Sequence, residues 1–244
     1  KSAIVIVDQS LENVVYSPSL LSTVRNDLPV PSRDRVSSMK PRLWGIGTTR
    51  TFRAHHALLE RQIDYETVAI RTRTADQDRD DFNSVAVSGK IPVYQEGDLI
   101  IRESAAIVRY VMNRNLPARS LVDQSFFDQW AFFIISELDA TALYVLRRHE
   151  GLPEIYGASE EASRSAREYF DRQITGLSQA LLDGRTHLAD EFSELDILLI
   201  SVLDWADFVR QPLPDAAKQY AEGIRQRQAY KDAYALNYGR TRSI

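Results

Sequence analysis

Strand signals stop at Pro117, and that one change of pattern limits the chain to a small group of architectures. Before it, short apolar runs alternate with helical spacing. "RLWGI" reads as a strand, and Phe52 to Ile63 carries apolar residues on related helical turns. "YETVAI" (65–70) alternates with β-branched residues and reads as a second strand. The polar stretch 71–81 reads as a solvated loop or a short helix. "KIPVYQEGDLIIRES" (90–104) reads as a hairpin turning at Glu96-Gly97-Asp98. From Glu103 the pattern is helical, with Ala106, Ile107, Tyr110 and Val111 on one face. After Pro117 only helical spacing remains. Phe127, Trp130, Ile134, Leu138, Ala142 and Val145 follow it, and further helices are expected near 158–183, 193–210 and 215–235. The expected organisation is therefore an extension at 1–39, an α/β unit at 40–116, a linker at 117–122 and an all-helical unit at 123–244. No internal repeat is visible. The extension, rich in Ser, Pro and polar residues, is expected to be loosely ordered, with Met39 a candidate start.

Composition removes several functions. The 244 residues carry a net charge of −4, which argues against a general nucleic-acid binder. No apolar run approaches the roughly 18 residues that span a bilayer. Cysteine is absent, so disulfides, thiolate metal sites and a cysteine nucleophile are all excluded. No His/Asp/Glu spacing suggests a metal site.

Three short stretches carry chemistry. In "LWGIGTTRTFRAHHALLE" (43–60) two hydroxyls, Thr48 and Thr49, stand where a strand hands over to a helix, a place that suits either a cap or catalysis. In "GKIPV" (89–93) a proline interrupts an apolar strand run. That implies an edge strand, a bulge or a cis peptide that turns the preceding backbone toward a ligand. In "IIRESAAIVRYV" (100–111) a strand passes into a helix at Glu103-Ser104. The free amides and partial positive charge of a helix start accept a carboxylate, and Glu103 beside them suits an ammonium group. The bland alternative for this stretch is a plain N-cap.

In order and spacing, "LWGIGTTRTFRAHHALLE", "GKIPVYQEGDLIIRESAAIVRYV" and, later, "HLADEFSELDILLISVLDWAD" make the chain resemble the cytosolic glutathione transferase family over residues 41–237. The resemblance implies a thioredoxin-like glutathione-binding domain followed by an all-α helical bundle. It implies that Ile91, before a cis Pro92, pairs its backbone with the tripeptide. Glu103 and Ser104 would hold the γ-glutamyl end, and Lys90 would lie near the glycyl carboxylate. The turn at 48–49 matches the place of the hydroxyl that donates to the glutathione sulfur in serine-type classes. Spacing to Arg50 and Arg53 favours Thr49 as that donor, with Thr48 second; the alternative is that one of the two only caps the first helix. A free thiol has a pKa of about 8.5 and reacts as the thiolate, so such a donor has work to do at neutral pH.

The implied activity is conjugation of glutathione to a small hydrophobic electrophile, a detoxification. The implied setting is a cytoplasmic homodimer with glutathione as co-substrate, no metal, and neither nucleic acid nor membrane as partner. Phe133, Tyr144 and His149 are candidates for the second-substrate pocket. The alternatives are a non-catalytic module of the same fold, binding a ligand or a protein, and a glutathione-dependent peroxidase or isomerase. Two departures stand out. Ala86-Val87 replaces the Asn-Pro that many relatives carry before "GKIP", and Trp44 stands near where tyrosine-type classes place their phenol. Of His55 and His56 on the first helix, one is expected to face solvent. Ser193 with Asp196 is expected to form a capping box, and Phe192 with Ile197 a hydrophobic staple.

Overall fold

β1 (Arg42–Trp44) runs parallel to β2 (Glu66–Val68) and antiparallel to β3 (Val93–Glu96), which pairs antiparallel with β4 (Leu99–Arg102). The sheet order is β2-β1-β3-β4. The computed structural model describes residues 39–179 and 184–239, so the expected extension lies outside the described residues except for Met39. α1 (Thr49–Glu60) connects β1 to β2, α2 (Asp80–Val85) precedes β3 after a 3-10 turn at Ala75–Asp78, and α3 (Ser104–Asn113) follows β4.

Strand alternation divides the core in two. Leu43 and Tyr94 point to the face covered by α1 and α3, and join Phe52, Leu58, Ile107 and Val111. Trp44 and Val93 point to the other face and join Ile70, Phe82, Val85 and Ile91. The first cluster continues without a break into Ile134, Leu138, Leu199, Val202 and Tyr230, so the two halves of the chain share one core.

The helical half opens with α4 (Leu121–Phe132). It starts two residues inside the ending expected for the linker, because the Ser120 hydroxyl accepts from the Asp123 amide and nucleates the helix there. The rod continues through a π-helical stretch (Phe133–Leu143), α5 (Tyr144–Leu146) and a second π stretch (Arg147–Gly151). α6 (Pro153–Tyr156), α7 (Glu160–Leu177), α8 (Glu194–Phe208), α9 (Asp215–Arg225) and α10 (Gln228–Tyr238) follow. One long helix near 215–235 was the expectation. The structure breaks it at Arg227, whose backbone is extended and whose guanidinium leaves the helix to pair with Glu60 of α1 and to cover the Phe192 ring at 3.9 Å.

α1 is the central element. It packs on α3, α8 and α10 as well as on the sheet, and every residue from Thr51 to Leu58 is buried. That overturns the expectation that His55 or His56 faces solvent, since both are wholly buried. A helix covered by a sheet on one side and three helices on the others has no outward face to offer.

Candidate functional site

The register brings the three chemical stretches to one end of the sheet. Trp44 pairs with Val93, and Val93 pairs with Arg102. Because β3 is antiparallel to both neighbours, the chain leaving β1, the chain entering β3 and the chain leaving β4 all meet there. Those segments are Gly45–Thr49, Ile91-Pro92 and Glu103-Ser104.

The Ile91–Pro92 peptide is cis. Gly45 has φ of +120°, and a Cβ on it would lie 2.6 Å from the Ile91 Cβ and 2.9 Å from the Thr51 Cγ2. Only glycine allows the β1–α1 turn to press this close to the Ile91 backbone.

The two threonines divide their labour. Thr48 is the N-cap of α1: its hydroxyl accepts from the Thr51 amide at 3.0 Å, and Thr51 Oγ1 accepts from the Thr48 amide at 2.9 Å. Thr49 is the first helical residue, half-buried, and its hydroxyl lies near enough to the Tyr238 phenol of α10 to act on it electrostatically. Burial pushes that phenol well above its ordinary value, so it stays protonated. Asn237, beside it, clamps the whole turn. Its Oδ1 accepts from the Gly47 amide at 3.1 Å and from Thr51 Oγ1 at 2.7 Å, and its Nδ2 donates to the Thr48 carbonyl at 3.1 Å.

α3 begins without a side-chain cap. Glu103 has φ of +68°, and its carboxylate makes no capping bond, so the first amides of α3 are not consumed by the protein's own side chain. The plain N-cap reading therefore fails. Ser104 is buried, and its hydroxyl accepts from Arg53 Nη1 at 3.3 Å. Arg53 is wholly buried and fans out from α1, reaching Ser201 Oγ at 2.6 Å and Asp139 Oδ2 at 2.6 Å. Arg50 takes the other oxygen of Asp139 at 2.7 Å. Burial opposes the charge on Asp139, but Arg53 and Arg50 outweigh it and hold the carboxyl below its ordinary value. One carboxylate thus ties α1 to the helical half directly behind the two threonines.

The remaining candidates scatter. Lys90 is exposed, with no ion pair among the described residues. Tyr144 is half-buried and lies under Arg50, whose Cζ is 4.9 Å from the ring centroid. Phe133 packs edge-on to Trp130, and His149 is bonded through Nδ1 to the Gly157 carbonyl at 2.8 Å, so neither joins Tyr144 in a common set. Among the described residues, no group of acidic or histidine side chains could hold a metal ion, and no helix is long and apolar enough to cross a membrane.

Sequence reasoning missed Asn237, Asp139 and Tyr238. Nothing in the local pattern marks Asn237, because its partners are 186 to 190 positions away. Asp139 left one trace: an acidic residue within an apolar helical run, where a charge needs a partner.

Residues 39–113 match the family model for the glutathione S-transferase N-terminal domain. Glutathione S-transferase 4 of Zea mays is 26% identical over 147 residues, which cover 59% of this chain and 66%, just under two thirds, of the maize protein. A glutathione S-transferase-I solved with lactoylglutathione superposes with a TM-score of 0.66 at 22% identity, covering 81% of this chain and 100% of that one. A glutathione transferase from Pseudomonas putida, solved with glutathione disulfide bound, superposes with a TM-score of 0.69 at 19% identity, covering 85% of this chain and 94% of that one. At these identities the structural likeness establishes the fold: a thioredoxin-like domain followed by a helical one.

Proposed function

We propose that the chain is a member of the cytosolic glutathione transferase family, a reading supported by the matches reported above, and that it binds glutathione at the end of the sheet described above and conjugates its thiolate to small electrophiles. The observation that carries this reading is the convergence of an uncapped α3 start, the backbone before a cis proline and a hydroxyl turn at one sheet end. The γ-glutamyl carboxylate lies on the α3 amides, its ammonium group by Glu103, and the cysteinyl amide along Ile91 before Pro92. Lys90 lies toward the glycyl carboxylate, and Ser104 acts beside the γ-glutamyl group through its backbone, since its hydroxyl is engaged by Arg53.

Thr49 is the sulfur's donor in this reading. Thr48 is occupied as the helix cap. A hydroxyl has one proton and two lone pairs. If Tyr238 donates to Thr49, the Thr49 proton remains available for the sulfur. The catalytic work is thiolate stabilisation by that donor and by the positive end of α1, together with positioning of the acceptor. The enzyme is a cytoplasmic homodimer that needs no metal, and α4 supplies apolar surface for the dimer contact.

A second reading has its own support. If Thr49 instead donates to Tyr238, the sulfur receives no hydroxyl proton, and the chain is a glutathione-binding module without conjugating activity. Retention on immobilised glutathione tests binding, and the ultraviolet absorbance of bound thiolate, followed with pH, tests activation. Thr49→Ala is expected to raise the bound thiol's pKa by about one unit, equivalent to about 1.4 kcal/mol. Thr48→Ala mainly lowers helix stability, by about 1 kcal/mol. Glutathione bound with an ordinary thiol pKa in the unaltered protein sinks the enzymatic reading and leaves the module.

A further inference from the structure

We propose that the acceptor site beside Thr49 selects molecules that carry an acid group, a carboxylate or sulfonate on a flat apolar body. This deepens the glutathione-transferase reading and rests on it.

The argument begins with the Tyr144 ring. Arg50 stands over it at 4.9 Å, Arg148 at 5.4 Å and Arg147 at 5.6 Å. Arg148 also lies 4.9 Å from the centroid of Tyr156. One phenol face satisfies one guanidinium, not three. Of the carboxylates near this group, Glu103 acts on Arg50 but is assigned above to the glutathione ammonium, and the others are paired within the protein. Asp139 is shared by Arg50 and Arg53, and Glu150, on the same π stretch as Arg147, pairs with Arg167 at 2.6 Å. Among the described residues, Arg147, Arg148 and Arg73 have no ion-pair partner. Arg147 is half-buried, and its charge is disfavoured first by burial and then by the nearby Arg73 and Arg50. A half-buried cation surrounded by others and left without a counter-charge is held at a cost, which an anionic ligand would remove.

The position matters as much as the charge. Arg50 is the residue after Thr49, so the cationic group begins one residue from the proposed sulfur donor. Tyr144 and Tyr156 supply flat apolar walls, and guanidinium groups favour the planar, forked geometry of a carboxylate. The same chemistry has a second source, the glycyl carboxylate of glutathione itself, and the experiment separates the two.

The probes are a chlorodinitrobenzoate and its methyl ester, each assayed with glutathione and each rate divided by its uncatalysed rate. The acid is expected to be preferred by about tenfold or more, the scale of one charge-assisted hydrogen bond. Arg147→Ala and Arg148→Ala are expected to narrow that acid-to-ester ratio, and the Lys replacements to keep part of it. Salt is expected to narrow it too. An ester served as well as the acid overturns the proposal. So does a loss in either variant that falls on the KM for glutathione equally with both acceptors, because the arginines would then hold the glycyl carboxylate. Calorimetric titration of unreactive dinitrobenzoate and its methyl ester onto the full chain, with and without glutathione, needs no turnover. Preference for the acid there, without conjugation, keeps the anion site and removes only the transferase reading. Equal binding of the two removes the anion site.

Discussion

His56 is a buried polar residue packed among aromatic rings, with Glu60 Oε2 3.8 Å from its Nε2 and Arg227 nearby. Its ring lies among Phe52, Phe192 and Tyr230, and neither ring nitrogen has a hydrogen-bond partner among the described residues. Burial depresses its pKa to about 3, and that of His55 to about 4. An unfolded chain takes up both protons below about pH 6.5, whereas the folded chain does not until well below that. Their contribution to stability is therefore complete above about pH 6.5 and is lost as pH falls toward about 4, by up to about 1.4 kcal/mol per pH unit for each ring. Urea midpoints are expected to fall between about pH 7 and about pH 5. His56→Phe is expected to raise stability and to flatten that profile, since removing a buried unpaired polar group is neutral or favourable. Asp196, pushed up by burial, runs with the opposite sign, so the difference between the two proteins is the measurement. An unchanged slope in the variant would show that His56 does not titrate on unfolding. The burial of this residue was not legible in the sequence, because a helix wrapped on all sides loses the polar face that its two histidines seemed to mark.

Ser193 opens α8 with its hydroxyl accepting from the Leu195 amide at 3.3 Å, while Asp196 accepts from the Ser193 amide at 2.7 Å. Asp196 also takes the Leu188 amide at 2.8 Å and the hydroxyl of Tyr220, which the sequence did not reveal. Phe192, expected to staple against Ile197, is seen against His56, His187 and Arg227. Ser193→Ala is expected to cost about 1 kcal/mol in thermal or urea unfolding, with glutathione retention unchanged. The capping box was legible because its partners are three residues apart. The β1–α1 turn was legible only in part, because its other half comes from α10. Asn237→Ala removes three hydrogen bonds to that turn and is expected to cost about 1–3 kcal/mol. It is also expected to lower kcat more than glutathione affinity, because the α3 amides remain in place. Equal losses in both would mean that the turn takes no separate part in the reaction. The π-helical stretches, which bring Asp139 to the two arginines, leave no trace in an apolar repeat that a regular helix would also satisfy.

For the whole molecule, the α/β-then-helical order followed from where strand patterning ends, and the shared core follows from α1 having apolar contacts on both sides. Oligomerisation is a property the single chain only hints at. α4 has no buried residue, yet it exposes Leu121 at 83%, Val122 at 79% and Phe126 at 40%. This apolar helix face is the surface on which the proposed homodimer contact is placed. Val122→Glu is expected to convert a dimer to a monomer in sedimentation or light scattering, and a monomer before substitution would remove the homodimer from the proposal. The halves are also joined inside one chain, through Asn237 and Asp139. Exchanging the two units between relatives at the linker would leave each donor's β1–α1 turn facing a foreign last helix. Recombinants of this protein should therefore succeed only when the segment carrying Asn237 travels with the threonines it holds, so that the two ends of the chain are inherited together.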